Sequence, residues 1–400
     1  RRIQQAVQAG TWELQGAMWV EADCNLPSGE SLVRQVLHGK RFFKSEFGVE
    51  VKNLWLPDVF GYSGQLPQIL RKAGVPCFLT QKLSWNKTNQ FPHHTFAWQG
   101  IDGSEVVAHF PPNNDYNAKM RPEALVKGIE NYKDKAVCDD AICLFGIGDG
   151  GGGPREEFVE RGLRLKNLNG CPPVAFGHAQ PALERMAAKR ADLDAWKGEL
   201  YFELHRGTYT TQTRTKRLNR RAEEALRAAE MLCAAAGLAN YPAAELDRAW
   251  KTVLLNQFHD IIPGSSIQKV YQDAESQLAG VITTARDLTA TAAARLGQSD
   301  AQACTLFNPS SEAFDGLVRL PAGWKGAVGT PCQAEGDAVL ARVRVPGQGF
   351  LTLRQAANAA ATTDKPVAGD AVLENGRLRF TIGRDGRISD GLDKASGRAM

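Results

Sequence analysis

Four hundred residues exceed what one ordinary hydrophobic core organises, so roughly two or three domains are expected. Lys and Arg (48) against Asp and Glu (44) give a net charge of +4 with no long block of one sign, which excludes a nucleic-acid arm. The eight cysteines are scattered with no Cys-x-x-Cys pair, which excludes a zinc ribbon and reads as reduced thiols of a cytoplasmic protein, and no run approaches the roughly 18 apolar residues of a membrane span.

In chain order the first predicted element is a helix from Arg1 to Ala9, with no methionine and no strand before it, so the chain reads as starting in mid-domain. Trp12 to Gln15 and Ala17 to Asp23 read as a first strand region. A helix capped by Ser28 follows, with its apolar face on Val33, Val36, Leu37 and Phe42 or Phe43. Val51 to Leu56 reads as a buried strand, broken at Pro57, Gly61 and Ser63 before a helix from Gln65 to Ala73. Asp58 then stands at the strand's C-terminal end. On barrels of alternating strands and helices catalytic side chains gather at that rim, although an aspartate here would also serve as a helix cap. Spacing alone leaves both roles open.

Pro76 to Thr80 is the next predicted strand. Thr95 to Trp98 and Glu105 to Phe110 form a predicted hairpin about Asp102-Gly103. Ala141 to Gly146 reads as a buried strand running into Gly148-Asp-Gly-Gly-Gly-Gly-Pro154, and Val174 to Phe176 as the last strand of the region. This alternation is the signature of repeated βα units. From about residue 190 the pattern changes. An extended connector, Glu199 to Thr211, leads into three predicted helices: one on Leu218, Ala222, Ala225, Ala229 and Leu232 ending at Gly237, one from Pro242 to His259, and one from Ile267 to Leu296. After Cys304 the turns Asn375-Gly376 and Asp385-Gly386, with the alternation of Leu378, Phe380 and Ile382, predict the beginning of a β-sandwich, with a loop at 357–363. The expected domains are 1–195, 196–298 and 299–400.

Beside Asp58 the chemistry-bearing stretch is Leu255-Asn-Gln-Phe-His-Asp-Ile-Ile-Pro-Gly264. His259 at a helix C-terminus would complement the dipole there. Imidazole and carboxylate are also proper zinc ligands, and Asp58 with His259 would make half of a site built from separate elements. The glycine run lacks the Lys-Ser/Thr ending of a phosphate loop and the spacing of a dinucleotide fingerprint. It lets the backbone pass close to a ligand with Asp149 at the rim, or leaves Asp149 merely solvated. His93 and His94, adjacent on an extended segment, face opposite ways and read as loop residues. Trp19, Trp85, Tyr116 and Tyr209 offer aromatic faces to a pyranose, or belong to the core.

Taken together these stretches resemble glycoside hydrolase family 38 α-mannosidases, most closely the cytosolic type. The resemblance rests on Met18-Trp-Val-Glu21, Asn25-Leu-Pro-Ser-Gly-Glu-Ser-Leu-Val-Arg-Gln35, Trp55-Leu-Pro-Asp-Val-Phe-Gly-Tyr-Ser63 and Phe78-Leu-Thr-Gln-Lys-Leu-Ser-Trp-Asn86. It continues in Pro92-His-His-Thr-Phe96, Phe145-Gly-Ile-Gly-Asp-Gly-Gly-Gly-Gly-Pro154, Gly198 to Thr211 and Leu255 to Gly264, and it weakens after residue 300. It implies a multidomain α/β, α and β chain: an incomplete (β/α)7 barrel, a three-helix bundle middle domain and the start of a β-sandwich region. It further implies a retaining α-mannosidase with Asp58 as nucleophile and metal ligand and His259 as metal ligand. The two remaining ligands, a His-x-Asp pair on a first strand, are expected upstream of Arg1. Asp149 is the candidate acid/base, matching the first of two adjacent aspartates in Golgi and lysosomal relatives where this chain has Asp149-Gly150. His205 and Asp260 join the aromatic residues as candidates for sugar contact. One divalent ion, Zn2+ or Co2+, and an α-mannoside oligosaccharide are the implied cofactor and partner, with neither nucleic acid nor membrane and with assembly left open. The other readings are a non-catalytic carbohydrate-binding fragment and a metal-dependent deacetylase on a similar barrel. The latter would carry a His-x-x-x-His pair, and none of the seven histidines has that spacing.

Overall fold

The computed structural model describes residues 1–149, 151–297, 300–358 and 366–400. It divides into two compact units, 1–230 with 239–289, and 231–238 with 290–400.

In the first unit β1 (Asn53–Trp55), β2 (Cys77–Leu79), β3 (Thr95–Gln99), β4 (Glu105–His109) and β5 (Ala195–Lys197) form one sheet in the order β1-β2-β4-β3-β5. β1, β2 and β4 are parallel. The predicted hairpin makes β3 antiparallel to β4, with Gly103 at φ 84° in its turn, so the sheet is mixed. The short helix α1 (Arg2–Gln8) precedes α2 (Gly29–Phe47). α2 starts where Ser28 Oγ accepts the Ser31 N–H at 3.2 Å and stops where Gly48 turns left-handed at φ 70°. α3 (Leu66–Lys72) crosses the same face. Leu32 and Val36 of α2, Leu66 and Leu70 of α3, and Leu54, Phe78, Phe96 and Trp98 of the sheet fill one core. Burying each such side chain stabilises the fold by roughly 1.5–3 kcal/mol. α4 (Pro122–Asn131), α5 (Glu156–Arg164) and α6 (Ala179–Ala188) follow, and α6 packs Leu183 and Met186 against Cys77 and Val107.

Three predicted strand regions are absent, the first of them in two segments. Residues 12–15, 17–23, 141–146 and 174–176 form no ladder; Ala22, Cys24 and Phe145 make only isolated bridges to Phe258, Tyr62 and Ala118. Residues 17–23 and most of 141–146 are buried or half-buried loop, whereas Trp12, Ala175 and Phe176 are exposed, and hydrophobicity alone does not distinguish such runs from strands. α3 begins at Leu66 behind Gln65, without a side-chain cap, so Asp58 does not cap it.

Helices α7 (Thr213–Ala235), α8 (Ala243–Leu255) and α9 (Gln268–Leu296) share a core of Ala222, Leu226, Trp250, Val253, Leu278 and Ile282. α8 ends four residues short of His259, where Asn256 turns its amide back on the Thr252 carbonyl at 2.8 Å. A dipole role for His259 at a helix terminus is thereby removed.

In the second unit β6 (Ala303–Asn308) pairs with β10 (Gly349–Arg354), and β7 (Phe314–Arg319), β8 (Cys332–Glu335) and β9 (Ala338–Val345) form a second sheet. Both sheets contribute to a core of Leu306, Leu353, Val343, Val345 and Trp324. Residues 367–399 form a third, antiparallel sheet with turns at both predicted Asn-Gly and Asp-Gly positions. The predicted loop at 357–363 falls largely outside the described residues. Among the described residues no helix is long and apolar enough to cross a membrane.

Candidate active site

β1 and β2 pair in parallel with Trp55 opposite Leu79. Asp58 and Lys82 each stand three residues past one member of that pair, so the register brings them together at the sheet's C-terminal rim. Lys82 Nζ lies 2.5 Å from Asp58 Oδ1, and its side chain is only 4% exposed. Its ammonium sits over the rings of Trp85 (4.6 Å), Phe60 (5.1 Å) and Phe202 (5.8 Å), an aromatic cage that offsets part of its lost hydration. Buried Tyr62 braces both segments. Its hydroxyl donates to Leu56 O at 2.8 Å and meets Thr80 Oγ1 at 2.5 Å, and its N–H and C=O pair with Leu200. The turn between Asp58 and Tyr62 depends on Gly61, at φ 104°, where a Cβ would stand 3.3 Å from Leu200 O.

His259 arrives from beyond α8 and is 5% exposed. Its backbone N–H donates to Glu21 O at 3.1 Å, and its Nδ1 lies 3.0 Å from that same carbonyl. A carbonyl only accepts, so Nδ1 carries a hydrogen and Nε2 is the nitrogen turned toward the carboxylates. Nε2 is 3.8 Å from Asp58 Oδ2 and 4.0 Å from Asp260 Oδ2. Asp260 is in turn held by the Ser265 hydroxyl at 2.7 Å. Burial raises the Glu21 carboxyl above its ordinary range, with Asp58 adding to the shift and His259 opposing it.

The cleft in front has a volume of about 340 Å³ and is lined by Asp58, Phe60, Lys82, His205, Thr208 and Asp260, among others. His205, left-handed at φ 52°, places its ring 4.9 Å from Phe60 and 5.3 Å from Phe202. Burial lowers its pKa and Lys82 lowers it further, so it is neutral at neutral pH. Tyr116 lies near Asp58. Burial first, then the charges of Asp58 and Asp149, push its hydroxyl up to about 12. Asp149 is exposed, with φ 52°, and Tyr116 feels both carboxylates; neighbouring Gly150 lies outside the described residues.

The remaining sugar-contact candidates divide. Trp85 is 47% exposed and covers Lys82. Tyr209 ends the 3-10 turn Arg206–Tyr209 with its hydroxyl 3.5 Å from Asn25 Nδ2, while Gly207 and Thr208 of that turn line the cleft. Trp19 packs edge-on against Phe42 and His38 under Lys251, outside the cleft lining. Sequence reasoning missed Lys82, Phe60 and Glu21 as site residues. The equal offsets of Asp58 and Lys82 from their strands were a usable signal for the first.

His93 and His94 do lie in a loop with different partners. His93, Asp134 and Asp194 bring three ligand-type atoms within 4.8 Å of one another. Asp134 is, however, already spent: Oδ2 accepts the N–H groups of His94 (2.5 Å) and Thr95 (2.8 Å), and Oδ1 meets His93 Nδ1 at 3.0 Å. That set is a staple for the loop entering β3.

Residues 1–199 match the glycosyl hydrolases family 38 N-terminal domain, and residues 203–296 match the alpha mannosidase middle domain. The chain belongs to glycosyl hydrolase family 38. This family 38 chain is 39% identical over 413 residues to human Alpha-mannosidase 2C1, a match covering 99% of the chain and 38% of that protein. It is 48% identical over 274 residues to Alpha-mannosidase G of Dictyostelium discoideum, covering 68% of the chain and 25% of the relative. The family 38 chain thus spans well under half the length of the curated relatives it matches. Its fold is like that in the crystal structure of an alpha-mannosidase from Enterococcus faecalis V583, with a TM-score of 0.74 at 20% identity over 99% of this chain and 54% of that one.

Proposed function

We propose that this chain carries the catalytic centre of a retaining, exo-acting α-mannosidase that removes terminal α-D-mannosyl residues from oligosaccharides. Asp58 attacks the anomeric carbon while Asp149 gives its proton to the departing oxygen. Asp149 then takes a proton from water, which attacks the same carbon, releases mannose and frees Asp58. Lys82 holds the Asp58 carboxylate at Oδ1 while Oδ2 faces His259, and this keeps its negative charge aimed at the sugar. The donor set of imidazole Nε2 and carboxylate oxygen fits a divalent ion such as Zn2+ or Co2+, with Asp58 and His259 as two of its ligands. Such an ion would hold two ring hydroxyls of the mannose and stabilise developing charge. The Nδ1–H of His259, tied to Glu21 O, leaves Nε2 as the nitrogen that would ligate and fixes the ring's orientation.

The observation that carries this reading is the convergence of Asp58 and His259, 201 positions apart in sequence, with Nε2 of the imidazole facing the Asp58 carboxylate at 3.8 Å. We place the chain in the cytoplasm, with domains at 1–195 (an incomplete barrel), 196–298 (a three-helix bundle) and 299–400 (the start of a sandwich). The test uses the full-length protein: metal content and hydrolysis of an aryl α-mannoside, with Asp58→Asn and His259→Ala. Asp58→Asn is expected to lose turnover by at least about a thousandfold. Unchanged turnover would remove the mechanism, and full metal occupancy in His259→Ala would remove the ligand assignment.

A further inference from the structure

Behind His259 lies a set of buried polar side chains that the reaction does not use. Gln257 is fully buried, and its amide nitrogen stands 3.0 Å from Ser31 Oγ, 3.0 Å from Asn219 Oδ1 and 3.1 Å from Glu223 Oε1. Its Oε1 faces the Gln35 amide at 3.3 Å, and that amide also donates to Leu254 O at 2.9 Å. Glu223, 4% exposed, accepts at Oε1 the Ser28 N–H (2.9 Å) and the Ser31 hydroxyl (2.6 Å) as well. The network therefore joins α2, α7 and the end of α8. Its output is short and direct: Gln257 O accepts the Asp23 N–H at 2.9 Å, and two residues on, Glu21 O takes both hydrogens of His259.

Apolar side chains of equal volume would fill this space at little cost, and often stabilise when they replace a buried charged group. What they would not do is fix one register among the three elements. An amide offers two hydrogens, so Gln257 satisfies its neighbours only in one arrangement of α2 against α7. We propose that Gln257, held by Glu223, Ser31 and Gln35, is the positioning residue that sets His259 Nε2 at its distance from Asp58. This rests on the metal-centre reading above.

The test uses the full-length protein stripped of metal and titrated with cobalt(II), read by visible absorption and by the dissociation constant, beside the thermal midpoint of the metal-free form. Gln257→Leu is expected to weaken cobalt binding roughly 10–100-fold and to alter its absorption band. Glu223→Leu is expected to behave alike, while Glu223→Gln, which keeps an acceptor oxygen, stays near the wild type. If Gln257→Leu does not fold, Gln35→Met is read in its place. Wild-type affinity and spectrum in the folded variant overturn the proposal, even where the metal-free midpoint falls, because that result is a purely structural role. The metal-centre reading fails separately, if His259→Ala itself binds cobalt as the wild type does.

Discussion

At the scale of single residues the site turns on how Asp58 is held. Lys82 is caged by three rings and is almost wholly removed from water, so its charge is directed at Asp58 and at the cleft that it lines. Charge-assisted hydrogen bonds contribute roughly 1.5–3 kcal/mol, so Lys82→Met is expected to lower kcat/KM about 10–100-fold on an aryl α-mannoside. Loss of less than about twofold would show that the ammonium is only a packing element. Tyr116→Phe removes one hydroxyl near Asp58 and is expected to cost about tenfold or less, with Asp149 one charge-sensitive neighbour fewer. Asp58 and His259 stand out as candidates in the sequence because acidic and imidazole groups among turn residues are conspicuous, and the structure brings the two within 3.8 Å. Lys82 does not stand out in that way, because lysines are ordinarily surface residues and its equal offset from a strand acquires meaning only once β1 and β2 are known to pair in parallel.

At the scale of elements, close backbone approach decides where glycine is required. Gly39 sits inside α2, where a Cβ would stand 2.2 Å from Ala17 O and 2.4 Å from Met18 C. Helix propensity by itself favours Gly39→Ala by roughly 1 kcal/mol. The clash with main chain outweighs that gain, so the variant is expected to be less stable by about 1–3 kcal/mol in urea unfolding; a rise in the midpoint would show that the 17–18 segment yields freely. The same contact explains why 17–23 is no strand. Trp19 N–H donates to Gln35 O at 2.8 Å and Asp23 N–H to Gln257 O at 2.9 Å, so its backbone hydrogen bonds go to a helix and a turn instead of a neighbouring strand. The helices form where their periodicity lies because their hydrogen bonds are local, with Ser28 and Gly48 at the ends of α2, but the buried face is set by packing. Of the predicted apolar face of α2, Val36 is buried while Val33, Leu37 and Phe42 are exposed, and Leu32, Gln35 and Gly39 are buried beside Val36.

At the scale of the whole molecule, buried histidines make stability depend on pH. Burial lowers the pKa of His94 to about 4 and of His109 to about 3. His109 is neutral in place, with Nε2 accepting the Ile142 N–H at 3.2 Å and Nδ1 paired with Thr95 Oγ1 at 2.9 Å. The unfolded chain binds these protons near pH 6.5 and the folded one does not, so stability rises with pH through that window and is lost as pH falls below it. Each histidine contributes a slope of up to about 1.4 kcal/mol per pH unit. Urea midpoints between pH 7 and pH 5 should fall, and His109→Gln should flatten the slope; an unchanged slope would mean that His109 titrates normally. Such couplings show where reading the chain alone stops. Sequence by itself determined the family likeness, the three helical segments, the Asp102-Gly103 hairpin and the two acidic and imidazole candidates, because these signals are local in the chain. Only the tertiary structure decided which apolar runs become strands, that Lys82 is Asp58's partner, that His259 leaves its helix before reaching the cleft, and which buried amides hold it there. Those outcomes depend on hydrogen bonds between segments far apart in sequence, and no single window contains both ends of such a bond.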